Sequence, residues 1–367
     1  MSSSGRCDAA KLAPRRPALR SLIALLLASL LVAGCGSARS SSPSIALLPA
    51  SVANGHASEW TARCPLAPVA GSGCAAAGPA FGSAQLNGDE WNLGGAAKDG
   101  SLDMSVRRNG AVTIAGDFAR TPPCTRADCL APSAYTWVRG YPNVLYGINQ
   151  CFGATSPRPS PRLALPMRVD SIPRDLVSVT DYSAPTSGVT YDVAYDVWLH
   201  PTGTKRPCRT QGTLEILVWT DYDSRALPPA SLEVGTATTH FAKTARSGSQ
   251  TWSIYASNVF RSGRTAPWGG TLWFVPSRAD VVARGWVSVD LSAVFAAAGR
   301  LLSDDYGWSA LGSSHWLDTV SFGVEYGPSS GMPLDPSPSR FAARVSAYCL
   351  DVRASLLDAV CGSKGSQ

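Results

Sequence analysis

Charge is scarce in this chain of 367 residues: Asp, Glu, Lys and Arg make up only 16% of it. Lysine occurs five times and histidine four times, at His56, His200, His240 and His315. There are only five glutamates, Glu59, Glu90, Glu215, Glu233 and Glu325. The formal net charge is +6, but residues 1–34 hold five cations and one acid, so only +2 remains for the rest. No basic patch is left to bind a nucleic-acid backbone. Gly269-Gly270 and Gly94-Gly95 read as turn glycines, and neither a phosphate-cradling loop nor a dinucleotide fingerprint is present, so no cofactor is expected. No Cys-x-x-Cys or close histidine pair suggests a metal site. With so few histidines, serine-hydrolase chemistry is disfavoured.

Long apolar runs are also few, and the one at the start is informative. A basic stretch (6–20) precedes "SLIALLLASLLVAGC" (21–35), which is short for a bilayer span and has the layout of an export signal. Its end, Leu31-Val32-Ala33-Gly34-Cys35, resembles the lipobox of bacterial lipoproteins. That resemblance implies cleavage before Cys35 and lipidation of its sulfur, which would anchor the protein to the outer face of the membrane. If the lipobox is not used, the chain is secreted. Residues 35–60 follow as a Ser-, Ala- and Pro-containing tether.

The cysteines suit export. Beyond Cys7 and Cys35 there are eight, an even number. Spacing favours Cys64–Cys74, Cys124–Cys129 and Cys349–Cys361 as local loops, leaving Cys151–Cys208, although eight cysteines allow about 105 pairings.

What is plentiful is apolar residues, 45% of the chain, enough for a large core. From 61 to 352 short strand-like segments alternate with Gly, Pro, Asp and Ser clusters. They include 110–118, 173–183, 189–200, 213–222, 250–257, 269–277 and 316–327. Such punctuation predicts an all-β sandwich or barrel in one domain. One short helix is expected over 288–302, capped by Ser288 or Asp290. The last segment, 339–367, reads as a closing strand in its first half and a short helix pinned by Cys349–Cys361 in its second, with 353–367 a C-terminal extension beyond the domain.

Carboxylates set into strands carry the functional reading. Strand side chains alternate between faces. In 213–219, Leu214, Ile216 and Val218 form an apolar face, while Thr213, Glu215, Leu217 and Trp219 form a mixed one. In the preceding strand Asp192, Ala194, Asp196, Trp198 and His200 share a face. The turn-rich 201–212 makes the two strands plausible antiparallel neighbours. Further on, Glu325 shares its face with Thr319, Ser321 and Gly323, small residues that leave room above the sheet. Two glutamates on one face of a sheet are what glycoside hydrolysis requires, one as nucleophile or base and one as acid. Taken singly, each is equally a residue of a solvated sheet face.

"VAYDVWL" (193–199), "GTLEILVW" (212–219) and "SFGVEYG" (321–327) together resemble glycoside hydrolase family 12, the β-jelly-roll endoglucanases and xyloglucanases. "EWNLGG" (90–95) is similar to the family's N-terminal Asn/Trp/Gly segment, and "GYPNVLYG" (140–147) to its Tyr-Pro strand. The resemblance implies a jelly-roll sandwich of two antiparallel sheets with a concave substrate cleft. It also implies a retaining mechanism, with Glu215 as nucleophile, Glu325 as acid/base and Asp196 hydrogen-bonded to the nucleophile. Retention calls for carboxyl groups about 5–5.5 Å apart. Trp91 and Asn92 correspond to substrate-binding positions, and Trp198 and Trp219 are expected to offer flat surfaces to sugar rings. Leu217 stands where the family often has Met, Leu-Pro-Pro-Ala (227–230) where it has Pro-Ile/Val-Gly, and Tyr326 where it has Pro or Ile. The expected activity is a metal-free endo-β-1,4-glucanase acting on cellulose-like glucan as a monomer. The alternatives are xyloglucan or mixed-linkage β-glucan as substrate, or a non-catalytic carbohydrate-binding lipoprotein.

Overall fold

A computed structural model describes residues 60–64, 80–81, 84–88, 100–106, 111–118, 137–148, 163–186, 188–203, 212–242, 248–257, 270–306, 315–331 and 337–351. The signal, the lipidation site at Cys35, the candidate residues Trp91 and Asn92, and the C-terminal extension fall outside them. Each proposed disulfide has at least one cysteine outside them as well.

The alternating apolar residues build sixteen strands among the described residues, arranged in two layers. The first layer holds β1 (Trp60–Cys64), β4 (Gly100–Val106), β5 (Val112–Phe118), β16 (Ser339–Asp351), β8 (Val177–Ser183) and β14 (Arg284–Asp290), in that order. The second runs β11 (Glu233–Ala242), β12 (Gly248–Ala256), β13 (Gly270–Pro276), β10 (Leu214–Tyr222), β9 (Thr190–His200), β15 (Trp316–Gly327), β6 (Asn143–Gly147), β3 (Ala84–Asn87) and β2 (Ala80–Phe81). The short β7 (Met167–Arg168) pairs with the start of β15. β1 begins at Trp60, the last residue of the stretch read as tether.

Two features depart from a pair of separate antiparallel sheets. The end of β11 pairs with β14 through Phe241↔Val289 and Ala242↔Ser288, so hydrogen bonding runs from one layer into the other. β10 and β13 are parallel over Leu214–Val218 and Gly270–Phe274. The connection between them passes through β11 and β12, so β13 returns in the direction of β10. The pattern of alternation is the same for either direction of pairing.

Between the layers lies one continuous apolar core. From the second layer it takes Val193, Tyr195, Val197 and Leu199 of β9, Leu214, Ile216 and Val218 of β10, and Val320, Phe322 and Val324 of β15. The first layer answers with Val179, Tyr182, Phe341, Val345, Tyr348 and Leu350. Aromatic rings bridge the two: Tyr182–Phe322 at 5.1 Å edge-on, and Tyr326–Phe341 at 4.8 Å. Tyrosine hydroxyls inside the core find partners there: Tyr348 donates to the Val320 carbonyl at 3.1 Å, and Thr180 Oγ1 lies 2.6 Å from the Tyr195 hydroxyl. With one face of each strand committed to this core, the residues of opposite parity in the second layer point outward.

The expected helix is α1, Leu291–Tyr306, 16 residues long. Asp290 is its cap, accepting at Oδ1 from the Ala293 N–H at 2.9 Å, and residue 288 belongs to β14 instead. Val294, Ala297, Ala298 and Leu302 form its buried stripe at helical spacing.

Candidate active site

The outward face of β9, β10 and β15 carries the carboxylates. Register fixes their arrangement. β9 lies between the other two, with Glu215 opposite Trp198 and Leu217 opposite Asp196 on one side. On its other side Ser321 is opposite Asp196, Gly323 opposite Ala194 and Glu325 opposite Asp192. Glu215, Asp196 and Glu325 therefore share one face of one layer, as the alternation predicts.

Glu215 is half-buried and accepts a hydrogen bond at Oε2 from Thr271 Oγ1 at 2.5 Å. Thr271 is its register partner on the parallel strand β13, and its side chain is buried. A hydroxyl aimed at a carboxylate makes a charge-assisted bond that fixes the rotamer. Asp196 is buried and accepts at Oδ2 from Trp198 Nε1 at 2.8 Å. Ser321 Oγ donates to the Asp196 carbonyl at 3.1 Å, tying β15 to β9 at that level.

Glu325 is the buried member of the glutamate pair. Burial pushes its carboxyl group well above the ordinary range, and the charge and hydrogen bond of Asp192 push the same way. The charges of Glu215 and Asp196 add to this. Asp192 is itself raised to about 8, first by burial and then by the charge of Glu215, while its hydrogen bond with Glu325 opposes the shift. One half-exposed carboxylate held by a hydroxyl thus stands within electrostatic reach of a buried group held in its acid form. That contrast of environments separates nucleophile from acid in paired-carboxylate chemistry.

The segment before β6 supplies the floor. Tyr141, in "GYPN" before β6, is buried and donates its hydroxyl to the Ala194 carbonyl at 2.9 Å. Burial, and then the charge of Asp196, hold that phenol well above its ordinary pKa, with Ser321 and Glu325 also within reach. The approach depends on Gly323, where a Cβ would stand 2.3 Å from the Pro142 carbonyl oxygen and 2.6 Å from Asn143 Cβ.

The tryptophans depart from expectation. Trp219 does face outward from β10 but is fully buried, in a cluster with Leu217, Tyr222, Trp273 and Val275 that Ala226 and Leu232 also join. Those last two belong to the segment after β10, which contributes to covering this end of the face. Trp219 therefore offers no surface to a sugar ring and is a packing residue. Trp198 retains 9% exposure, stacks near His200 with centroids 6.1 Å apart, and is committed through Nε1 to Asp196. With so little of it exposed, it serves as a donor to the carboxylate more than as a platform. His200, beyond it, forms a buried pair with Asp318, which sits at the register shift in β15.

Sequence reading missed Asp192, Thr271 and Tyr141 as members of the site. Asp192 carries the same face parity as Asp196, and that was the available signal. Thr271 needed the parallel pairing. Gly327-Pro328-Ser329-Ser330-Gly331 fits the Gly-x-Ser-x-Gly pattern, but it lies at the end of β15 and in the turn that follows, with Gly331 at φ +72°.

An outward face bearing this carboxylate set on a two-layer jelly roll defines the class of fold. The particular fold is that of glycoside hydrolase family 12. The chain is similar to a native family 12 xyloglucanase from Bacillus licheniformis, at 17% identity and a TM-score of 0.50, over 75% of this chain and 96% of that one. Other similar structures are a metagenome-derived family 12 endoglucanase (18%, 0.48, over 81% and 99%) and an endoglucanase from Rhodothermus marinus (16%, 0.47, over 80% and 99%). No protein-family model matches the chain, and neither does any curated protein.

Proposed function

We propose that this chain is a retaining endo-β-1,4-glucanase, exported and tethered to the membrane through Cys35. One observation carries the reading: Glu215 and Glu325 project from the same face, one half-exposed and held by a hydroxyl, the other buried and raised in pKa. In this reading Glu215 Oε attacks the anomeric carbon and forms a glycosyl ester as the bond to the leaving oxygen breaks. Glu325 gives its proton to that oxygen, then takes one from the water that cleaves the ester. Asp196, fixed by Trp198 on the same face as Glu215, keeps the role of positioning the nucleophile. The fold shared with a family 12 xyloglucanase supports a β-glucan as substrate.

Residues 61–352 are the catalytic domain in this reading, acting as a monomer, and the basic start, apolar run and Cys35 address it to the outer face of the membrane. Replacing Cys35 by Ser is expected to move the protein from the membrane fraction to the medium; unchanged partitioning would remove the anchor. For the activity, Glu215→Gln and Glu325→Gln are each expected to lower hydrolysis of a soluble β-glucan by about 10³-fold or more. Near wild-type rates in either variant would refute the assignment. Binding without hydrolysis by the wild type would identify a carbohydrate-binding protein instead. Preference for xyloglucan or mixed-linkage glucan over cellulose-like glucan would change the substrate and leave the mechanism in place.

A further inference from the structure

Asp192 is fully buried, and its register partner on β15 is Glu325, buried as well. Both oxygens of Asp192 and Oε2 of Glu325 are buried and receive no hydrogen bond from any other described residue, and each carboxyl group lies within electrostatic reach of the other. Burying both as anions side by side, with no other donor to satisfy them, is far costlier than a proton held between them, which supplies the one donor two carboxyl groups otherwise lack. The pair therefore holds a proton.

We propose that Asp192 is a positioning residue for the proton on Glu325: the two carboxyl groups share one proton, with Glu325 donating and Asp192 accepting. The inference rests on the assignment of Glu325 as acid/base. It gives Asp192 a role distinct from that of Asp196, four residues along the same face. Asp196 is engaged by the Trp198 indole and lies level with Ser321 and Leu217. Asp192 lies level with Glu325 and, on the other side of β9, with Tyr222 of β10.

The groups around the pair favour the shared proton. From β9 come Asp192 and Asp196, from β10 Glu215 and Tyr222, and from the segment before β6 the hydroxyl of Tyr141. Arg139 of that segment is buried too, but its guanidinium donates to the carbonyls of Trp137 and Val138. The immediate surroundings are thus anions and neutral phenols, which oppose loss of the proton. The pair also orients it. A proton on Glu325 that points across to Asp192 on β9 waits in a defined place, and an arriving glycosidic oxygen competes with Asp192 for it. After transfer, Asp192 and Glu325 carry two negative charges, and that repulsion makes Glu325 a stronger base for the water of the second step.

The test is to label glutamate Cδ with ¹³C in the full chain, which has five glutamates, and to assign Glu325 by its loss in Glu325→Gln. Wild-type Glu325 is expected to titrate in two steps, as coupled carboxyl groups do. In Asp192→Asn the curve becomes a single step at lower pH, because the like charge is gone. The basic limb of kcat/KM on a soluble β-glucan is expected to move down by about one pH unit or more with it, as removal of a neighbouring carboxylate requires. A single-step wild-type titration, or an Asp192→Asn limb that stays in place or rises, overturns the inference while leaving the glucanase assignment standing. Should Asp192→Asn fail to fold, the shape of the wild-type curve alone decides. Coupled titration in a chain that hydrolyses no glucan would uphold the pair and refute the enzymatic reading.

Discussion

Replacing Thr271 by Val removes one hydroxyl at nearly constant volume and separates nucleophile positioning from packing. Thr271 Oγ1 lies 2.5 Å from Glu215 Oε2, on a strand whose backbone register is fixed by its parallel pairing with β10. Hydrogen bonds to charged groups contribute about 1.5–3 kcal/mol. Glu215 is half-buried, so water replaces part of the lost interaction and the lower end applies. About 1.5 kcal/mol corresponds to roughly a tenfold loss of rate. The loss should appear in kcat more than in KM, since the hydroxyl holds the attacking oxygen and does not touch the bound sugar in this account. Initial rates on a soluble β-glucan measure it, with a thermal melt to confirm that the variant is folded. Thr271→Ser retains the hydroxyl and is expected to recover most of the activity. A Val variant within twofold of wild type, or a Ser variant as impaired as the Val variant, would refute the reasoning.

Two further outcomes follow from burial and charge. Trp219→Ala opens the outer aromatic cluster and should cost about 3–5 kcal/mol of stability, read by chemical denaturation. Trp198→Phe keeps the ring but loses the donor to Asp196, and should lower kcat severalfold with little change in stability; the opposite ranking in either assay would reverse the roles given to these residues. The Asp192–Glu325 pair should also be visible in stability against pH. The folded pair binds its proton more tightly than the unfolded carboxyl groups do, so its contribution is fully present below the unfolded carboxylate range and declines as pH rises from there through the raised folded-state values. Glu325→Gln should flatten that decline in Tm between these limits. An unchanged slope would mean that the pair is not titrating there.

Much of this site could be read from alternation. The face parity of Glu215, Asp196 and Glu325 follows from the apolar residues between them, because a one-residue slip would turn Leu214, Ile216 and Val218 out of the core. The strands over 189–200, 213–222 and 316–327 were legible for the same reason, as all have strongly apolar inner faces. Parity gives the face of a side chain but says nothing of what lies over it. Trp219 has the right parity and is buried because a distant stretch, with Ala226 and Leu232, packs onto the same cluster. Nor does parity give register between strands far apart in sequence. Asp192 meets Glu325 only through the pairing of β9 with β15, which includes a register shift between Leu317 and Thr319. Thr271 required the parallel neighbour of β10, set by the path of the chain through β11 and β12 and not by any local signal. The Asp290 cap was readable because a side-chain oxygen three residues before its N–H partner is a local pattern.

The claim at the centre of this account is that Glu215 attacks the sugar directly. It is tested most directly by ¹H NMR of the anomeric proton during the first minutes of hydrolysis of a soluble β-1,4-glucan. The account predicts that the new reducing end forms as the β-anomer and mutarotates afterwards. First appearance of the α-anomer would contradict it, since water would then have displaced the leaving group without a glycosyl ester on Glu215.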